Sequence, residues 1–172
     1  MKLALRTCTV RSWDPRDLAS LVEHANNRRI WLNLRDRFPH PYTRQDGLEF
    51  LKQARSAAPE TFFAIDVDGA AVGGIGFVLQ PDVERVSAEI GYWLGESFWG
   101  KGIASEALAA VTKHAITTFG LTRLFALPFA SNTASSRVLE KCGYVLEARL
   151  VRSAIKNGAI IDQLQYAYLV PK

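Results

Sequence analysis

The chain has 172 residues, of which 48% are apolar and 22% charged, the size and balance of a single globular domain over residues 1–172. Its net charge of +4 is scattered and not gathered in a block, and by itself it suits a nucleic acid or a phosphate-rich cofactor equally; no recognition-helix, zinc or aromatic-basic motif supports a nucleic-acid partner. No run approaches membrane-spanning length, and the start lacks the apolar stretch of a secretory signal, so no membrane partner is expected. In chain order, residues 3–11 are strand-like, and Asp14-Pro15 opens a helix with proline in its first turn. Residues 26–36 read as a second short helix, with Ile30 and Leu34 at helical spacing. Phe38-Pro39-His40-Pro41-Tyr42 cannot be regular, because each proline restricts itself and the residue before it. Thr43 then caps a helix to about residue 57. Strands over residues 61–67 and 71–80 flank Asp68-Gly69, a hairpin signal, and residues 86–95 form a third strand. Residues 103–119 are the clearest helix: Ala104, Ala107, Leu108, Val111, Ala115 and Phe119 share one face, and Gly120 marks its stop. A strand over 122–130 follows, then a helix over 133–142 ending at Gly143. A last hairpin pairs 144–153 with 160–169 around Asn157-Gly158. This order predicts an α/β (α+β) fold, one mixed sheet flanked by helices.

Cys8 and Cys142 lie far apart in apolar-patterned segments and read as buried free thiols, in keeping with a cytoplasmic location. His24, His40 and His114 show no ligand spacing with one another or with cysteine, so no metal is expected.

The chemistry concentrates at Glu96-Ser97-Phe98-Trp99-Gly100-Lys101-Gly102-Ile103-Ala104, which joins a strand to the start of the best helix. Gly100 and Gly102 permit backbone angles and a close approach that side chains forbid. Free amides at a helix start, with the positive end of the dipole, make an anion site, and Lys101 adds a full charge at its edge. A bare structural turn uses glycine in the same way, so the turn alone leaves both readings open. The sequence has no G-x-x-x-x-G-K-[ST] and no G-x-G-x-x-G near its first strand, against a nucleoside-triphosphatase and a dinucleotide fold.

Ala88-Glu89-Ile90-Gly91-Tyr92-Trp93-Leu94, followed by Trp99-Gly100-Lys101-Gly102-Ile103-Ala104-Ser105-Glu106-Ala107-Leu108, resembles the central motif of the GNAT superfamily of N-acetyltransferases. Asn132-Thr133-Ala134-Ser135-Ser136-Arg137-Val138-Leu139-Glu140-Lys141-Cys142-Gly143-Tyr144 resembles its second motif. The Phe38–Thr43 stretch and the final hairpin agree as well, so the resemblance covers nearly the whole chain. It is strongest to the branch of bacterial ribosomal-protein N-terminal (alanine) acetyltransferases. The resemblance implies a mostly antiparallel sheet of about six to seven strands and acetyl-coenzyme A as cosubstrate. It further implies that the amides of Trp99, Gly100, Lys101, Gly102, Ile103 and Ala104 hold the coenzyme's diphosphate. The backbone of Tyr92, Trp93 and Leu94 would meet the pantetheine arm and polarise the thioester carbonyl, and Asn132 would bond near the thiol. Two positions depart from the pattern: Trp99 stands where Gln or Arg is usual, and Leu139 where many members carry a tyrosine acid.

Direct attack needs a neutral amine. An α-amine is roughly one-tenth neutral at pH 7, whereas a lysine is neutral only to a few hundredths of a per cent, so an α-amine needs far less help from a base. Glu89, on the central strand between apolar residues, is the candidate base, with a structural partner of a neighbouring arginine as its alternative. Ser135 is the candidate acid or positioner of the sulfur, against a serine bonding locally in a first helical turn. Asn132 fits an ordinary N-cap as well as a cofactor contact. Trp31, His40 and Tyr42 lie in the segment expected to border the acceptor, where core or loop-anchor roles are the alternatives. The acceptor is a protein N-terminus or a small-molecule amine. A non-catalytic coenzyme A-binding or sensing module is the alternative that Leu139 keeps open, and the sequence is compatible with a homodimer without requiring one.

Overall fold

Turn chemistry and helix caps set most of the boundaries. The computed structural model describes residues 1–171, and among these the chain begins with two short strands, β1 (Lys2–Ala4) and β2 (Thr9–Ser12). The sequence pattern suggested one strand here. The chain instead reverses between them, with Leu5 N–H bonded to the Cys8 carbonyl at 2.9 Å, a turn that no glycine or proline announces. Asp14 caps a single 3-10 turn at Pro15–Asp17, which leads into α1 (Leu18–Ala25). The second helix, α2 (Arg28–Trp31), is shorter than expected. Asn27 starts it by accepting from the amides of Arg29 and Ile30, so the chain from residue 26 is a cap and not helix. A Thr43–Asp46 capping box starts α3 (Arg44–Ser56).

β3 (Phe62–Val67) and β4 (Ala70–Leu79) are joined by Asp68 and Gly69, both at positive φ (53° and 87°), the geometry of a tight hairpin turn. β5 (Ser87–Leu94) leads to α4 (Ile103–Phe119), as read from the sequence. Next, β6 (Arg123–Ala126) is less than half the expected strand. Pro128 has no N–H for a ladder, and pairing resumes only as an isolated bridge between Phe129 and Gln163. α5 (Thr133–Lys141) precedes β7 (Val145–Lys156) and β8 (Ala159–Leu169). These last strands extend closer to Asn157-Gly158 than the pattern suggested. The described strands number eight, in the order β1-β2-β3-β4-β5-β6-β8-β7, one more than the upper expectation because the first segment folds back on itself. The β5–β6 pair is parallel; the neighbours β1–β2, β2–β3, β3–β4, β6–β8 and β7–β8 are antiparallel.

Contacts gather the chain into two units, Met1–Gly76 with Tyr92–Ala107, and Phe77–Gly91 with the chain from Leu108 onward. In the first, Trp13, Leu21, Ala25, Leu51 and Ala64 form the core. A Cβ on Gly47 would come within 2.8 Å of Leu18, so glycine lets α3 approach α1. Arg11 braces this unit, donating to both Asp17 oxygens at 2.7 Å and to Asp66 at 2.8 Å. In the second unit, Leu108, Val111, Ala115 and Leu124 are fully buried, and Phe77 meets Phe119 edge-on at 5.3 Å.

Candidate functional site

The strand–turn–helix at the end of β5 carries the first part of the site. Gly100 and Gly102 sit at φ +75° and +80°, and a Cβ on either would meet no atom within 4 Å. Crowding therefore does not demand these glycines. The left-handed backbone does, and the space above them is open to an approaching group. Gly102 immediately precedes α4, at the position where a capping side chain would sit, and it has none. Three other helices carry a capping side chain at this position: Asn27 accepts from Arg29 N at 2.8 Å, Thr43 from Asp46 N at 3.2 Å, and Asn132 from Ser135 N at 3.1 Å. The start of α4 thus has no capping side chain at Gly102, and a helix start of that kind is where an external anion binds. Ile103 is buried and anchors the helix. Ala104 is half-buried, and the exposed Lys101 holds its ammonium 5.1 Å over the Phe98 ring.

Trp99 does not point its polar atom outward. Its indole N–H donates to the Leu94 carbonyl at 2.7 Å, which locks the turn to the last residue of β5. On that strand Glu89 is half-buried and in register with Phe125, on the face opposite the buried Ala88 and Ile90. The ladder with β6 ends there, and β5 runs on through half-buried Tyr92 and Trp93 to buried Leu94. Gly73 and Gly74 clear room for Trp93: a Cβ on Gly73 would lie 2.5 Å from its carbonyl and one on Gly74 2.7 Å from its indole nitrogen.

Around α5 the cap and the candidate contact are the same residue. The Oδ1 of Asn132 receives the Ser135 amide at 3.1 Å, which leaves its Nδ2 as the group able to donate elsewhere. Ser135 is half-buried in the first turn of α5, and Leu139 is wholly buried, so no phenol stands in the usual tyrosine position.

Of the acceptor candidates, His40 is exposed and Trp31 half-buried, their rings 5.7 Å apart and tilted. Tyr42 takes the core role that stood as the alternative to an acceptor contact. Only 5% of it is exposed, and its ring rests against Phe38 at 5.0 Å. Burial pushes its phenol up to about 12, so the core and not the surface claims this side chain.

Two carboxylates escaped the sequence reading. Glu96 receives Asn27 Nδ2 at 2.8 Å and pairs with Arg29, joining α2 to the turn before α4. Glu106, in the first turn of α4, accepts from Thr7 N and Oγ1 at 2.9 Å each and pairs with Arg6 at 2.7 Å. The Asn27 bond holds the Glu96 carboxyl, and the Thr7 bonds the Glu106 carboxyl, below the usual range. No local pattern announces partners 69 or 99 residues apart. Cys8 and Cys142 are free thiols, buried and half-buried respectively. Among the described residues no three His, Cys, Asp or Glu side chains gather as a metal ion needs, and no helix is long and apolar enough to cross a membrane.

A family profile described as acetyltransferase (GNAT) domain matches residues 8–145, and the chain belongs to that family. The ribosomal-protein-serine acetyltransferase of Escherichia coli (strain K12) is 37% identical over 108 residues, 63% of this chain and 60% of its own. Across the first curated relatives, the match spans 54% to 60% of their length. Among solved structures, Mycobacterium smegmatis RimJ in complex with CoA-disulfide shares 28% identity, covering 98% of this chain and 86% of that one, with a TM-score of 0.84. RimL, a ribosomal alpha-N-protein acetyltransferase in complex with coenzyme A, superposes with a TM-score of 0.88 over 99% and 98% of the two chains. At 22% identity that is a likeness of fold.

Proposed function

We propose that the chain is an acetyl-coenzyme A-dependent N-acetyltransferase, a single acetyltransferase domain that acts on an amine in the cytoplasm. The observation that carries this reading is the start of α4 behind two left-handed glycines, where Gly102 has no side chain to cap the helix and open space lies where a Cβ would project. A diphosphate is the ligand such a cradle fits, since it brings the negative charge and oxygen acceptors the free amides need. Bound there, acetyl-coenzyme A supplies an acyl thioester. The Trp99 amide already donates to the Glu96 carbonyl at 3.1 Å, so the amides of residues 100–104 grip the diphosphate, while backbone groups of Tyr92, Trp93 and Leu94 align the arm and stabilise charge on the carbonyl oxygen. Nδ2 of Asn132 donates near the thiol end, and Ser135 steadies the departing sulfur, the task that Leu139 has no atom to perform. Glu89 takes the proton from the amine, directly or through one water.

The preferred acceptor is a protein N-terminal α-amine, with a small-molecule amine as the other class. A relative named for ribosomal-protein serine acetylation and the lower pKa of an α-amine both support this order. Thiol release over a panel of peptides with free or blocked N-termini and of small amines tests it; turnover confined to blocked peptides would overturn it. Glu89→Gln should lower kcat most at low pH and leave coenzyme affinity within about twofold. A pH–rate profile identical to that of the wild type would remove Glu89 from the mechanism.

The buried Leu139 favours a second reading, a non-catalytic coenzyme A-binding module. Tight coenzyme binding without turnover of any amine would decide for it.

A further inference from the structure

We infer that Arg29 is a further binding residue for the coenzyme, a cation held beside the glycine turn to take one of the coenzyme's phosphates. The inference rests on the coenzyme reading above. α2 is pinned to the loop before α4 by one side chain used twice: Asn27 caps α2 through Oδ1, with Arg29 N at 2.8 Å, and donates Nδ2 to Glu96 at 2.8 Å. Arg29 then pairs with the second Glu96 oxygen through Nη1 and lays its guanidinium 5.3 Å over the Trp99 ring. Trp99 is itself fixed by its bond to Leu94 at 2.7 Å. The cation is therefore placed by contacts at both ends of the segment that opens the cradle.

Its remaining capacity faces outward. A guanidinium has five N–H donors in a planar fork, and the Glu96 pair engages one nitrogen while the side chain stays 68% exposed. A pair this exposed contributes little stability, and Glu96 also serves Asn27. A phosphate, with more charge and more oxygens than one carboxylate, competes well for such a fork. With Lys101 over Phe98, two cations stacked on aromatic rings then flank one turn. Only Lys101 is visible in the local sequence.

Calorimetry with coenzyme A at low and moderate salt tests the inference. Arg29→Ala should weaken binding about tenfold, with a shallower salt dependence than the wild type. Arg29→Lys keeps the charge without the fork and should fall between them. Glu96→Gln removes the counter-charge but keeps an acceptor for Asn27, and should stay within about twofold of the wild type. Wild-type affinity and salt dependence in Arg29→Ala would overturn the inference alone. So would a loss in Glu96→Gln equal to that in Arg29→Ala, because Arg29 would then act only by holding α2. A wild-type protein that binds no coenzyme A would overturn the functional reading and this inference together.

Discussion

Two helix starts in this chain are built in opposite ways. At α5, Asn132 turns its own Oδ1 back onto the Ser135 amide at 3.1 Å, and an orphan donor is satisfied from within. At α4 the equivalent position is Gly102, at φ +80°, with no side chain of its own to cap the helix and no atom within 4 Å of where a Cβ would project. A capped start stabilises the protein; an uncapped one at a strand–helix turn is available to a ligand. The difference separates residues whose loss should cost stability from residues whose loss should cost binding.

The largest expected effect comes from filling the open start. Gly102→Val puts a β-branched residue at positive φ, with strain of roughly 2 kcal/mol, and projects methyl groups where the diphosphate would lie. Coenzyme affinity should drop roughly thirtyfold or more in calorimetry, and an unchanged affinity would break the comparison. A smaller effect sharpens it at α5. Asn132→Ala should cost about 1 kcal/mol through the lost cap and lower Tm by about 2–4 °C. Asn132→Ser restores a cap and should restore Tm. If Asn132 also donates to the coenzyme, affinity stays several-fold weak in both variants; full recovery of binding in the serine variant would reduce Asn132 to a cap.

The smallest effect is the control at α3. Thr43→Ala should lower Tm by a similar few degrees with no change in coenzyme affinity. Its capping box also sets a pH sign. Asp46 accepts the Thr43 hydroxyl and amide, which holds its carboxyl below the ordinary 3.8. A lowered folded-state value means the contribution is complete above the ordinary value and is lost as pH falls through the lower one. Wild-type Tm should therefore fall more steeply than that of Thr43→Ala on acidification below about pH 3.8, as thermal melts would show.

Features written in local chemistry were legible in the sequence. The extent of α4 follows from its apolar face and the flanking Gly102 and Gly120. The Asp68-Gly69 and Asn157-Gly158 turns follow from residues that tolerate positive φ. The glycine turn was found because its residue types match its backbone. What escaped was non-local or masked by pattern. The β1–β2 reversal around Arg6-Thr7 has no glycine or proline to announce it, and β6 ends at Ala126, two residues before the proline that breaks its ladder. Local pattern could not choose between a core and an acceptor role for Tyr42, because the α1–α3 core it joins is assembled only by folding. Glu96 and Arg29 meet across 67 residues, and no spacing rule connects them.

The central claim is that the α4 start is completed by an external diphosphate. Backbone amide resonances of the wild-type protein titrated with coenzyme A test it most directly. The account predicts that the largest shifts, and new protection from exchange, fall on residues 100–104, while the capped amides at the start of α3 stay where they are. Saturation with coenzyme A that leaves residues 100–104 unmoved would contradict it.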